Sequence, residues 1–213
     1  MNSKMLFVNI LVILVIVAGL GAGVYYYNQA ANYVSTDNAR VDGQQIAISA
    51  TVAGNLTDWY GQLGKSFGAG EQVASILPPG QTTKVEVDFP VTGTIVQQSV
   101  VLNSFVSPGA VLARAYDLNN LWITANIDER NYNDIKAGQS VDVYVDAFPG
   151  TVLSGRVDKI GQATASSFSL MPTSNTTANY TKVAQVLPVT ILLDGYKGVA
   201  LAPGMSVTVR IHI

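Results

Sequence analysis

Two hydrophobic periods divide the chain. From Met5 to Val24 the only strongly polar residue is Asn9, so the run has no polar face. About 20 apolar residues at 1.5 Å rise per residue cross the roughly 30 Å hydrocarbon core of a bilayer. This predicts a transmembrane helix over residues 5–27, ending on Tyr25, Tyr26 and Tyr27 where an interfacial aromatic belt would lie. The run exceeds a signal-peptide core, and no A-x-A site follows it, which favours a retained anchor over a cleaved leader. Lys4 precedes the span and no cation follows until Arg40. That bias puts residues 1–4 in the cytoplasm as a short tail and residues 28–213 outside.

Beyond the anchor the period falls to two, the signature of half-buried strands. Residues 28–45 read as a linker and a membrane-proximal strand. Residues 46–116 then carry one pattern written twice. The first copy is Val52-Ala53-Gly54-Asn55-Leu56, then Phe67, Gly70 and Val73. The second is Val91-Thr92-Gly93-Thr94-Ile95, then Val106, Gly109 and Leu112, each 39 positions further on. Half-motifs of this kind, at 46–76 and 85–116, are too short to close a core alone. Packed face to face they predict a flattened β-sandwich with approximate two-fold symmetry. Trp59 and Tyr60 are expected to pack at its edge. The link between the halves contains Pro78-Pro79-Gly80, which excludes helix interior.

After Asp117-Leu118-Asn119-Asn120 the texture changes. Leu121–Ile127 reads as a strand and Asp128–Lys136 as a short helix, with acids in its first turn, Lys136 in its last and Gly138 ending it. Val141, Val143 and Val145 alternate with Asp142, Tyr144 and Asp146 on a further strand. Residues 152–160 return as another. Residues 161–182 are a long polar loop whose apolar points are Phe168, Leu170 and Met171. Two last strands, 186–193 and 206–213, close the chain.

Composition narrows the chemistry. The chain has 213 residues, 48% hydrophobic and only 12% charged, with net charge −2 and no basic block, so nucleic acid is not an expected partner. Absence of Cys removes thiol catalysis and thiolate metal sites. No nucleophile elbow, P-loop or HExxH occurs, so no catalytic residue, cofactor site or metal site is assigned. Asp142 and Asp146 stand roughly 13 Å apart along a strand at ~3.3 Å per residue, too far to share a metal. His212 lies on the polar strand face with Thr208 and Arg210 and reads as a surface histidine. The N-x-T triplets at Asn175 and Asn179 carry little weight.

The duplicated pattern resembles the half-motifs of a lipoyl/biotinyl-type domain. Further segments are similar, in order, to the HlyD/EmrA-type membrane fusion proteins, or periplasmic adaptors. Thr36-Asp37-Asn38-Ala39-Arg40-Val41 resembles their opening segment, although Arg40 stands where an aromatic residue is common. Leu121-Trp122-Ile123, Ile135-Lys136-Ala137-Gly138-Gln139, Phe168-Ser169-Leu170-Met171-Pro172, Asn179-Tyr180-Thr181-Lys182-Val183 and Leu201-Ala202-Pro203-Gly204-Met205-Ser206-Val207 follow. Ala178 and Val186 depart from the family's usual Gly and Arg.

The resemblance implies an all-β chain with one N-terminal transmembrane helix. A lipoyl-like sandwich at 46–116 would be followed by a β-barrel adaptor domain at 117–213. It implies a membrane-anchored subunit of a multidrug or small-molecule export system, without enzymatic activity. Its partner would be a cytoplasmic-membrane exporter of the major-facilitator or ABC type, and it would assemble with copies of itself. The long helical hairpin that usually joins the half-motifs, and reaches an outer-membrane channel, is missing. A carrier role would instead need a lipoyl or biotinyl group on Lys84, but Thr83-Lys84-Val85 lacks the flanks of a carrier lysine. A structural envelope protein is the other alternative.

Overall fold

The computed structural model describes residues 11–21, 23, 32–164 and 185–213. Residues 11–21 and 23 are helical and exposed, with Leu11 to Leu20 presenting their apolar side chains outward. The rest of the predicted 5–27 anchor lies outside the described residues. No helix among the described residues is long and apolar enough to cross a membrane. Most of the polar loop, residues 165–184 with Phe168, Leu170 and Met171, also lies outside them.

The remainder is almost entirely β. The strands are β1 (Tyr33–Ser49), β2 (Gly54–Trp59), β3 (Ser66–Phe67), β4 (Gln72–Leu77), β5 (Val85–Asp88), β6 (Gly93–Gln98), β7 (Phe105–Val106), β8 (Val111–Asp128), β9 (Ser140–Val145), β10 (Val152–Ile160), β11 (Val186–Leu193) and β12 (Ser206–His212). They form two compact units. One takes the chain to Ala39, Ala125–Gly195 and Ser206–Ile213; the other takes Arg40–Thr124 and Tyr196–Met205. β1 and β8 contribute residues to both.

The first unit is a six-stranded barrel. Its strands run β1-β12-β9-β10-β11-β8, and a β1–β8 pairing closes the circle. Alternation does the sorting. Val141, Val143 and Val145 of β9 are buried, as are their cross-strand neighbours Leu153 on β10 and Val207, Val209 and Ile211 on β12. Closure leaves no free edge to recruit another chain.

The predicted helix over 128–136 is shorter and tighter. Only Glu129–Asp134 is helical, as 3-10 turns. Asp128 caps it by accepting from the Arg130 backbone N–H at 3.0 Å. The helix stops at Ile135 because that side chain is buried and its backbone is extended. Lys136 and Gly138 fall in the turn beyond. There the Gln139 amide takes over, accepting from the Lys136 N–H at 2.8 Å and donating to the Asp134 carbonyl at 2.9 Å.

β8 passes straight through the polar Asp117–Asn120 segment, where the texture change suggested a break. The Tyr196 hydroxyl sustains it, donating to the Asn119 carbonyl at 2.8 Å and accepting from the Leu121 N–H at 2.9 Å.

The second unit realises the internal repeat bond for bond. Within the first half β2 pairs β4 with Leu56 opposite Ile76; within the second β6 pairs β8 with Ile95 opposite Ala115. Both ladders slip at the same place, between Leu56 and Asp58 and between Ile95 and Gln97. The halves also exchange their two-residue strands. Gly54 of the first pairs Val106 of the second, and Gly93 of the second pairs Phe67 of the first. The Leu56 N–H donates to the Ser104 carbonyl at 2.9 Å, and the Ile95 N–H to Lys65 at 3.0 Å. Leu56, Phe67, Val73, Ile76, Ile95, Val106 and Leu112 fill the core between them. Phe67 stacks on Phe89 with ring centroids 5.2 Å apart. Trp59 packs against this cluster, as expected of it, and Tyr60 is exposed.

Gly54 and Gly93 owe their identity to the close backbone approach of β4 to β2 and of β8 to β6. A Cβ on Gly54 would lie 2.3 Å from the Leu77 carbonyl oxygen, and one on Gly93 3.1 Å from that of Tyr116, the equivalent residue. Gly64→Asn is written into the chain already: Asn103, its counterpart, holds a φ of 66° against 80°.

Gly54→Ala is therefore expected to lower stability by roughly 1–3 kcal/mol through overpacking against backbone. Gly93→Ala should cost less, since its nearest atoms lie at 3.0 Å and beyond. Urea unfolding of the full chain in nanodiscs, followed by tryptophan fluorescence, measures both; the reverse order would contradict the packing described.

Candidate functional site

Lys84 is the side chain on which a carrier role would depend. It ends the Pro-Pro-Gly link, where Gly80 adopts a φ of 74° and the Gln81 N–H closes onto the Pro78 carbonyl at 3.2 Å. Val85 then enters β5 opposite Ile76 of β4. Lys84 folds back over the sheet, and its Nζ lies 2.7 Å from Asp58 Oδ2 on β2. Thr57 donates to the same carboxylate at 3.1 Å. The hydrogen bond from Lys84 lowers the Asp58 pKa, outweighing the desolvation that raises it, and Thr57 adds to the lowering. The lysine is thus a strut between the link and β2. Both side chains keep much of their exposure, so solvent screens the pair and it adds little to stability on its own.

The barrel gathers the other polar groups. His212 Nε2 lies 2.9 Å from Asp142 Oδ2, and the His212 ring meets Tyr33 edge-on at 4.8 Å. On the same strands Arg210 sits over the Tyr144 ring at 5.4 Å. The expected plain surface histidine is therefore tied to β9 and to the start of β1. An Asp–His pair can orient a general base, but the nearby Ser35 hydroxyl is already committed to the Val209 carbonyl at 3.2 Å. Asp146 does not join Asp142, and no group of three or more potential metal ligands occurs among the described residues.

Asp128 shows the same use of charge. Arg130 binds it through Nε and Nη2, both at 2.9 Å. Those side-chain bonds, with the Arg130 backbone N–H, lower the Asp128 pKa to about 2. None of these pairs converges on a cavity with a third reactive group. What they do is fix strand ends, a turn and a link. The 39-residue offset anticipated the fold around Asp58, whereas the His212–Asp142 pairing depends on strand order, which periodicity does not encode.

Comparison with known proteins shows what the chain is similar to. Residues 121–211 match the family model of the YknX-like beta-barrel domain. The chain is 42% identical over 210 residues to the efflux system component YhbJ of Bacillus subtilis (strain 168), covering 99% of this chain and 93% of that protein. It is 38% identical over 112 residues to the multidrug resistance protein EmrK of Escherichia coli (strain K12), covering 52% of this chain and only 29% of that longer protein. Among solved structures, the periplasmic adaptor protein EmrA superimposes with a TM-score of 0.58 at 11% identity, covering 85% of this chain and 98% of that one. A MacA-MexA chimeric protein gives 0.67 at 16% identity, over 85% and 82%. At such identities these two show the shared fold alone.

In Lys84→Met the Asp58 carboxylate should titrate higher, toward the ordinary carboxylate value, while the fold persists. Because the folded pKa lies below the unfolded one, the pair's stabilisation is present above the unfolded value of about 3.9 and is lost as the pH falls through the lowered folded value. Carboxylate-carbon NMR of the wild type and variant measures the shift; an unchanged Asp58 titration would mean that the ion pair does not form.

Proposed function

This chain belongs to the HlyD/EmrA-type membrane fusion protein family, whose members are non-enzymatic adaptors, and we propose that it is the membrane-anchored adaptor subunit of a multidrug or small-molecule exporter. One observation carries the reading: 42% identity across 93% of an efflux system component. Residues 46–116 serve as the lipoyl-like module and 117–213 as the barrel module. The apolar run at 5–27 anchors both to the cytoplasmic membrane with the N-terminus inside. Tethering keeps the adaptor at high effective concentration beside a major-facilitator or ABC transporter. Copies of the chain assemble into a scaffold or conduit around the cargo's exit.

The link between the halves supports a limit on reach. Leu77 of β4 and Val85 of β5 are separated by a turn with no helical hairpin. A chain built this way ends its contribution close to the membrane. Contact with an outer-membrane channel, if the cell has one, falls to another protein. The pairs Asp58–Lys84, Asp128–Arg130 and Arg156–Asp194 support a role through shape, since they brace a link, a 3-10 turn and a strand end.

Three measurements test the proposal together. Fractionation should recover the full-length chain with the membrane after carbonate washing. Affinity purification from mild detergent should bring down a polytopic exporter and no outer-membrane channel. Deletion of the gene should raise sensitivity to at least one toxic compound, restored by the wild-type chain. Recovery of the intact chain in the cytosol, or unchanged sensitivity across a broad compound panel, would refute the adaptor role.

A further inference from the structure

The repeat-bearing unit contains an open cleft of about 390 Å³ that the strut and capping pairs do not enter. Its size falls within the usual range of small-molecule sites, about 300–1,000 Å³. Arg40 and Asp42 of β1, Val96 of β6, Tyr116 of β8 and Pro203 line it.

Its walls are held by backbone. The turn after Leu201 is clamped to β1 by two bonds, from the Val41 N–H to the Met205 carbonyl and from the Gly204 N–H to the Val41 carbonyl, both 2.8 Å. Gly204 has a φ of 90° in that turn. Here the Pro203-Gly204-Met205 motif does structural work that fixes one side of the cleft. Opposite, Gly43 makes room for the Tyr116 ring: a Cβ at 43 would stand 2.7 Å from Leu121 Cδ2 and 3.3 Å from Tyr116 Cδ1.

The two charges at the cleft are unequally satisfied. Asp42 accepts from the Gly43 N–H at 2.9 Å and from the Thr124 hydroxyl at 3.2 Å. Arg40 approaches it only through Nε, at 3.7 Å, beyond hydrogen-bond distance, and its side chain is 63% exposed. The carboxylate is occupied by internal donors while the guanidinium presents its donors outward. Beside it, Val96 is 42% exposed, an apolar side chain facing water. The equivalent residue in the first half is Thr57, on an identical bulged strand, so the fold does not require an apolar residue there.

We propose that this cleft is a binding site for an organic anion with a flat apolar body. The anionic group pairs with Arg40, and the body lies against Val96, Tyr116 and Pro203. The assignment stands apart from the export reading, because it concerns a ligand held by this chain whether or not that ligand is carried out of the cell.

Equilibrium dialysis of the full chain in nanodiscs, with empty nanodiscs as blank, tests it using 2-naphthoate and, as a cation of matching shape, 2-naphthylmethylammonium. The expected result is saturable uptake of one 2-naphthoate per chain and none of the cation. Arg40→Gln should weaken binding about tenfold or more, the scale of a lost charge-assisted hydrogen bond. Val96→Thr, which installs the residue of the sister half, should weaken it several-fold with the thermal midpoint unchanged. Non-saturable uptake, equal uptake of the cation, or binding unaffected by both substitutions would overturn the proposal.

Discussion

The exchange of short strands between the two half-motifs is the constraint on which the repeat-bearing unit depends. Gly54 finds its partner at Val106 and Gly93 finds its partner at Phe67, so each half completes the other's hydrogen bonding. Separated, both would leave backbone donors and acceptors exposed along a bulged edge. The link of residues 78–84 carries none of the exchanged bonds. It joins β4 to β5, already paired through Ile76 and Val85. Lengthening it would cost mainly loop entropy, which rises slowly with length. The same pairing of halves is therefore compatible with a short turn, as here, or with a long insertion at that point.

How much of this was legible follows from what each signal encodes. The 39-residue offset encodes local geometry, and geometry repeats: turns, bulges, close glycine contacts and even the positive φ of Gly64 and Asn103 recur at the predicted spacing. Alternation encodes which face is buried, so Val141, Val143 and Val145 were readable as core. Neither encodes which strand lies beside which. Asp142 meets His212 because β9 pairs β12, 70 positions away in sequence. The same blindness made Asp117–Asn120 look like a boundary. A tyrosine far along the chain, Tyr196, supplies the bonds that keep β8 extended there. The helix at 128–136 was over-read for a related reason. End charges matched a helix, but burial of Ile135 claimed the backbone first.

Charge in this chain is used sparingly and mostly for geometry. Asp58–Lys84 braces a link, Asp128–Arg130 caps a 3-10 helix, and Arg156–Asp194 joins β10 to the end of β11 at 3.3 Å. All are substantially exposed, so each adds little to stability on its own. Their effect is to favour one arrangement of turns and strand ends over near alternatives, the strands themselves being held by burial and ladder bonds.

Internal duplication also supplies a control that a single-copy domain lacks. Two halves with the same ladders, bulges and exchanged strands need the same residues wherever only the fold matters. Where they differ on the surface, something besides the fold is responsible. The second half places Val101 and Phe105 where the first has Gln62 and Ser66, and Phe105 is 60% exposed. It places Val96 where the first half has Thr57. Exposed rather than buried, these apolar side chains raise the cost of solvation without strengthening the core. The divergence runs both ways, since the first half has exposed Tyr60 where the second has Ser99, but Val96 is the exchange that lies on the wall of the Arg40 cleft.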